Sequence, residues 1–362
     1  MGLLLIEGQA ERIWLQMKMD HLGNWGMDIN KWDWVPGVGV IALLDYAEAV
    51  RSQEVKEYLL NWVRQNKEKA EQEPVINSIA PYAIFPELYR ESGDEWLKEE
   101  TSRVAQWLVL YAPRTREGAF EHTVTENVEF SEQVWADTVF MAVLFLARAA
   151  KLLGNSAYAE EAQHQVLLHL RLLEDRDAGV LFHGWNCSTA DHMSAARWTR
   201  ANAWIAAGVP MVVEEIARLA DISQELHERY LRLMTSLVSF QQSEGLWSTV
   251  MNESSYYREV SGSAGIAYGI WKGLESGLLP ADESFETAAR KALLAIRLYI
   301  GEDGMVGGVS GGTPVMESVE AYNGIPVYPT LYGQGLTIML LGEAIRRGEV
   351  DHESGGTAGA YP

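Results

Sequence analysis

Asp137 is the acid with the most unusual surroundings in the chain. It follows Trp135-Ala136 and opens the apolar run 138–150, so its carboxyl stands between an indole and a hydrophobic core where a long helix is predicted to begin. A carboxyl drawn out of water has its pKa raised, whereas helix N-terminal amides lower it, so the proton affinity of such a group is tunable. Proton donation and acceptance is the chemistry it offers, and surroundings that raise its pKa would favour donation. The plain alternative is a helix N-cap.

Other chemistry-bearing groups recur at the same kind of place, just before or inside the start of an apolar segment. They are Trp32-Asp33-Trp34, Asn77, Trp135, Trp198-Thr199-Arg200 with Asn202 and Trp204, Ser261 with Ser263, and Tyr328. Indole faces beside directed polar groups suit a sugar ring, whose C–H face packs on the aromatic while its hydroxyls need hydrogen bonds. Each ring could equally fill core. Arg200 shares a helix face with Arg197 and Trp204, and its guanidinium could grip a carboxylate with two parallel bonds or enter a structural ion pair. His122 and His183 are loop histidines suited to hydrogen bonding a ligand. His183, Cys187 and His192 are too loosely spaced for a metal site, so no metal or cofactor is expected. Gly307–Gly312 lacks the spacing of a phosphate loop and its lysine, and is predicted to be a flexible loop. Asp33 and Asp137 are the most plausible couple for paired-carboxylate chemistry, at a separation that sequence does not give.

These groups must be positioned by helices. Periodicity predicts about twelve, near 8–20, 36–51, 53–69, 78–92, 94–111, 132–151, 155–174, 198–219, 222–243, 261–276, 282–300 and 329–347. Short Gly/Asp/Ser/Pro joints alternate with longer connections, at about 21–35, 112–131, 175–197, 244–260 and 301–328, that hold the Trp, Tyr, His and Asn residues. Every second helix then points the same way and the aromatic connections share one face. Inner segments such as 135–149, 204–211, 262–271 and 331–341 are apolar or rich in small residues, and 53–69, 155–173 and 224–241 carry the charge. The pattern fits an all-α, closed (α/α)6 barrel of six helical hairpins, with an open superhelical repeat as the competitor. One domain is expected over 1–362, with a loose tail from about 353.

The 50 acidic residues against 29 basic ones give a net charge of -21, which opposes binding to nucleic acid and anionic membranes. A single cysteine, no secretory signal pattern and no long apolar run point to a cytoplasmic protein. A small anionic ligand in a locally basic pocket remains compatible with that charge.

Taken in order, Lys31-Trp32-Asp33-Trp34, Val75-Ile76-Asn77-Ser78, Ala119-Phe120-Glu121-His122, Trp135-Ala136-Asp137-Thr138, His183-Gly184-Trp185-Asn186, Asp191-His192-Met193 with Trp198 to Trp204, Gly245-Leu246-Trp247 and Ser261-Gly262-Ser263 resemble the unsaturated rhamnogalacturonyl hydrolases of glycoside hydrolase family 105. The unsaturated glucuronyl hydrolases of family 88 are a more distant resemblance. This likeness implies the (α/α)6 barrel and removal of a terminal 4,5-unsaturated galacturonyl residue from a short, anionic pectin oligosaccharide. Asp137 would protonate C4, a water would add at C5, and the resulting hemiketal would open; no second carboxylate is needed. Arg200 would bind the uronate, His122 and His183 would hydrogen bond the sugar, and Trp32, Asp33, Trp34, Trp135, Trp198, Trp204 and Trp247 would complete the binding site. Asn77 stands where family 88 has a second acid, whereas Thr199 and Ala203 depart from positions that are often glycine. A glucuronyl hydrolase, a sugar epimerase on the same barrel and a non-enzymatic carbohydrate-binding protein stay open as alternatives.

Overall fold

The structure is a computed structural model that describes residues 2–126 and 128–349. The predicted loose tail lies outside the described residues. Six helical segments form an inner ring: Trp34–Val50, Asn77–Ile84 running into Phe85–Ser92, Val139–Val143 running into Leu144–Leu153, Thr199–Ile216, Val260–Glu275 and Leu331–Arg347. Each packs on the next, and Leu331–Arg347 packs back on Trp34–Val50, so the ring closes and the open superhelix is excluded. Gly2–Lys18, Gln53–Gln65, Glu95–Leu110, Ser156–Leu173, Gln224–Phe240 and Glu283–Arg297 lie outside it. The fold is the (α/α)6 barrel.

The division follows from composition. Trp34–Val50 is buried from Val35 through Leu44, and the inner helices Thr199–Ile216, Val260–Glu275 and Leu331–Arg347 are likewise buried along most of their length. Gln53–Gln65 instead buries only Val55, Leu59, Trp62 and Val63, one face of a helix whose remaining residues are polar apart from Tyr58 and Leu60. Inner helices approach closely where small residues meet. A methyl group on Gly265 would stand 2.9 Å from the Ala203 Cβ, and one on Gly269 would overlap the Ala206 carbonyl. Gly269→Ala is therefore expected to destabilise the fold by about 1–3 kcal/mol through overpacking, read as a lower urea midpoint. Gly8→Ala, on an outer helix where the new methyl meets only the end of Arg12 at 3.7 Å, is the control expected to be neutral or stabilising.

The long connections gather over the N-terminal ends of the inner helices and are tied to one another there. Leu331 N–H donates to the Gly26 carbonyl (2.6 Å), Asn77 to Thr123 (3.1 Å), Ala136 to His183 (3.2 Å), Thr199 to Thr249 (2.9 Å) and Val260 to Gly308 (3.0 Å). Each loop thus anchors the start of an inner segment contributed by another part of the chain.

Three local expectations change. The helix expected from 132 begins later, because Gln133–Trp135 is a strand paired antiparallel with Gly184–Asn186, Trp135 opposite Gly184. Asp137 follows that strand after the single residue Ala136 and precedes a wide, π-type turn over Val139–Val143. The segment from 77 opens as a 3-10 helix containing Pro81, which has no amide proton to give an α-helical bond. The connection 301–328 contains a short helix, Val319–Asn323, capped by Ser318. No helix among the described residues is long and apolar enough to cross a membrane.

Candidate active site

The loop-bearing end holds a cavity of about 250 Å³. Its floor is made by Asn77, His122, Trp135, Asp137, Trp198 and Arg200, which reach it from four different stretches of chain and of which all but the slightly exposed Asp137 are buried. Its mouth is more open and is made by Trp25, Trp34, Val124, Glu126, Val128 and Phe130, with Gly312 to Pro314 on one side.

Asp137 Oδ2 lies 3.4 Å from His183 Nε2. Tyr322, whose oxygen accepts from the Met316 N–H (3.2 Å), meets His183 Nδ1 at 2.8 Å. Donation by the Tyr322 hydroxyl to Nδ1 leaves the imidazole proton on Nε2, facing Asp137. Burial pushes the Asp137 carboxyl up, but the adjoining His183, with His122 and Arg200, outweighs it, and the net pKa lies below the ordinary aspartate value. That reverses the expected upward shift. His183 is lowered by burial against the opposing pull of Asp137. His122 is pushed down to about 4 by burial, so it is neutral at neutral pH; its ring stacks on Trp135 with centroids 4.0 Å apart.

Besides the Asp137–His183 pair, four buried polar atoms around this floor have no protein partner: Asn77 Oδ1, His122 Nε2, Trp198 Nε1 and Arg200 Nε. A buried group left unpaired costs about 1–3 kcal/mol. Their convergence on one cavity is the signature of a site shaped for a polar ligand.

Arg200 is engaged differently from expectation. Nη1 donates to the carbonyl and hydroxyl of Ser310 and Nη2 to the carbonyl of Gly311 (2.8 Å), and Nη1 lies 3.5 Å from the buried carboxylate of Glu259. The guanidinium is sandwiched between Trp198 and Tyr332, at 4.4 and 4.5 Å. Its two-pronged edge is committed to the 310–313 loop, and only Nε is unpaired. Arg197 turns away to Asp175 (2.5 Å). Glu259, which sequence reasoning missed, caps Val260–Glu275 and accepts from Ser261 Oγ (2.7 Å) and Ser310 N (3.0 Å). The signal was present: an acid just before a predicted helix, as at Asp33.

The glycine-rich segment is pinned, since Gly311 and Gly312 press on the rings of Tyr328 and Trp25 with no room for a side chain. Five expected ligand-binding residues do not line the cavity: His183 lies buried beside Asp137, and the other four lie elsewhere. Trp32 stacks on Trp62 (5.4 Å) and meets Tyr82 edge-on. Asp33 is an N-cap, accepting from Trp34 N (2.7 Å) and Thr125 Oγ1 (2.6 Å). Trp204 is buried against Phe140, and Trp247 is buried with its indole N–H on the Leu237 carbonyl (2.7 Å). His183, Cys187 and His192 diverge: Cys187 sits in a small apolar cluster with Ala119, Val134 and Leu168, and His192 Nε2 meets the Leu172 carbonyl.

The sequence profile described as Glycosyl Hydrolase Family 88 matches residues 6–348. The chain is 31% identical over 322 residues to the unsaturated rhamnogalacturonyl hydrolase YesR of Bacillus subtilis (strain 168), covering 87% of this chain and 90% of that protein. A crystal structure of a possible member of the GH105 family from Salmonella enterica serovar Paratyphi A superposes with a TM-score of 0.86 at 26% identity, covering 95% of this chain and 93% of that one. The unsaturated glucuronyl hydrolase from Bacillus sp. GL1 shares the fold, with a TM-score of 0.70 at 19% identity over 93% of this chain and 94% of that one.

Proposed function

Because the chain belongs to glycosyl hydrolase family 88, and is therefore a glycoside hydrolase that acts on unsaturated uronides, we propose that its substrate is a short rhamnogalacturonan fragment ending in a 4,5-unsaturated galacturonyl residue. The observation that carries this reading is the set of unpaired polar atoms converging on Asp137. Trp135 and Trp198 give the ring its flat walls, and Asn77 presents a neutral amide where a second acid would repel the uronate. Arg200 offers the uronate a single N–H, from Nε, while its terminal nitrogens hold the loop. The buried, unpaired Cys187 fits a reducing, cytoplasmic setting.

Asp137 in its protonated form delivers a proton to C4, using the C4=C5 electrons to form the new C–H bond. A water adds to the electron-poor C5 and returns a proton to the carboxylate. The hemiketal so formed opens by breaking the bond from C5 to the ring oxygen, which leaves a ketone at C5 and a hemiacetal at C1; the hemiacetal collapses to an aldehyde and releases the second sugar with its oxygen protonated. His183, with its proton on Nε2, steadies the carboxylate between these steps.

In the free protein Asp137 is held as a carboxylate, and the uronate brings a second negative charge beside it. Like charges disfavour ionisation, so binding draws a proton onto the site. The acid form is the reactive one, and its fraction in the free enzyme falls tenfold for each pH unit above the lowered pKa. The kcat/KM for the unsaturated galacturonyl-rhamnose disaccharide, followed as loss of the enol-ether ultraviolet absorbance, is therefore expected to fall with rising pH with a slope near -1 between about pH 5 and 8. No loss of absorbance would refute the substrate class, and a flat profile would refute Asp137 as the acid.

A further inference from the structure

The floor of the cavity accounts for the uronate but leaves the second sugar unassigned. That sugar must lie toward the mouth, whose surface is apolar at Val124, Val128 and Phe130. Among the described residues lining the cavity, the charged side chains are Glu126, Asp137 and Arg200. Two of these belong to the floor, and Arg200 is offset by Glu259. Glu126 is thus the charge that the mouth presents. Behind it, Thr125 bonds Asp33, a second acid, whose carboxyl is raised by burial. Lys31, near Asp33, lines a separate depression with Trp32 and Lys69 and does not reach the cavity.

We propose that Glu126 makes the mouth a charge filter, so that the enzyme accepts an uncharged sugar as the leaving residue and turns away substrates whose second residue is an anion. This rests on the function proposed above and adds the chemistry of the leaving group. The apolar walls at Val124, Val128 and Phe130 offer the C–H face of a neutral sugar good contact, and no cationic side chain among the described residues lines the mouth to offset the desolvation of a carboxylate or sulfate. A carboxylate held near a second anion at about 6 Å, part screened by water, discriminates by roughly tenfold. The filter also explains how a chain of net charge -21 can be selective among anions: one uronate is met by the donors of the floor, and a second meets the Glu126 carboxylate with no cationic side chain among the described residues beside it at the mouth.

The test compares kcat/KM for the same unsaturated galacturonyl donor on rhamnose and on rhamnose 3-sulfate, in wild type, Glu126→Gln and Glu126→Lys. Wild type should prefer the neutral substrate by about tenfold, and the preference should shrink as salt rises to about 0.5 M. It should drop at least threefold in Glu126→Gln and further in Glu126→Lys. An equal ratio in the three proteins, or a ratio that salt leaves untouched, would overturn the proposal, because size would then explain the selection. Calorimetric affinities for saturated galacturonyl-rhamnose and its 3-sulfate separate this from the parent reading. Affinities that follow residue 126 without any turnover would sink the parent reading and keep the filter, whereas turnover blind to charge would do the reverse.

Discussion

Asp137→Asn is expected to lower kcat/KM on an unsaturated galacturonyl disaccharide by about 10³- to 10⁴-fold with little change in the thermal midpoint. The substitution keeps the shape of the side chain and removes only the transferable proton. Asp137 Oδ2 meets only the His183 imidazole, at 3.4 Å, and the amide oxygen of asparagine can keep that contact, so no network collapses when the charge is removed. Substrate affinity should hold or improve, since the uronate no longer faces a carboxylate, and the loss therefore falls on kcat. A protein that merely bound sugar, or an acid that merely capped a helix, would show the opposite pattern: unchanged turnover or a lost cap. Single-turnover rates alongside equilibrium affinity for the disaccharide make the distinction.

The second large effect is expected at Arg200. Arg200→Leu should destabilise the fold by about 3–5 kcal/mol, because it strands the buried Glu259 carboxylate without its counter-charge. It also frees the carbonyls of Ser310 and Gly311, so the wall containing Gly312 and Thr313 loosens. Arg200→Lys should not restore the fold, since a point charge cannot reach both carbonyls and lie flat between two rings. Glu259→Gln placed on top of Arg200→Leu should recover part of the loss. The coupling in that double-mutant cycle, from denaturant midpoints, measures the pair; simple additivity would show that Arg200 acts through packing alone.

The ring of helices was legible because burial on all sides and burial on one side leave different residue patterns, seen in Trp34–Val50 against Gln53–Gln65. Asp137 and Asn77 could be nominated because each stands at the start of an apolar segment, and His122 because it lies in a long connection. What sequence could not supply was partnership over distance. The strand Gln133–Trp135 depends on residues some fifty positions later, which is why a helix was expected there. Arg200 chose carbonyls more than a hundred residues away over a ligand carboxylate. Indoles at similar helix starts divided between cavity and core, Trp198 to the one and Trp204 to the other, according to which face the helix turned inward. Residue type alone does not carry that information.

The wide turn Val139–Val143 separates Asp137 from the regular helix Leu144–Leu153. An α-helix advances about 100° per residue, so a turn that takes in an extra residue offsets the angular phase of everything before it relative to everything after. The proton-bearing group and the buried stripe of the same segment are thereby set on independent azimuths. Deleting one residue from that turn would leave every core contact of 144–153 nameable and swing the carboxyl out of the cavity, which makes the irregular turn, more than any single side chain, the aiming device of this barrel.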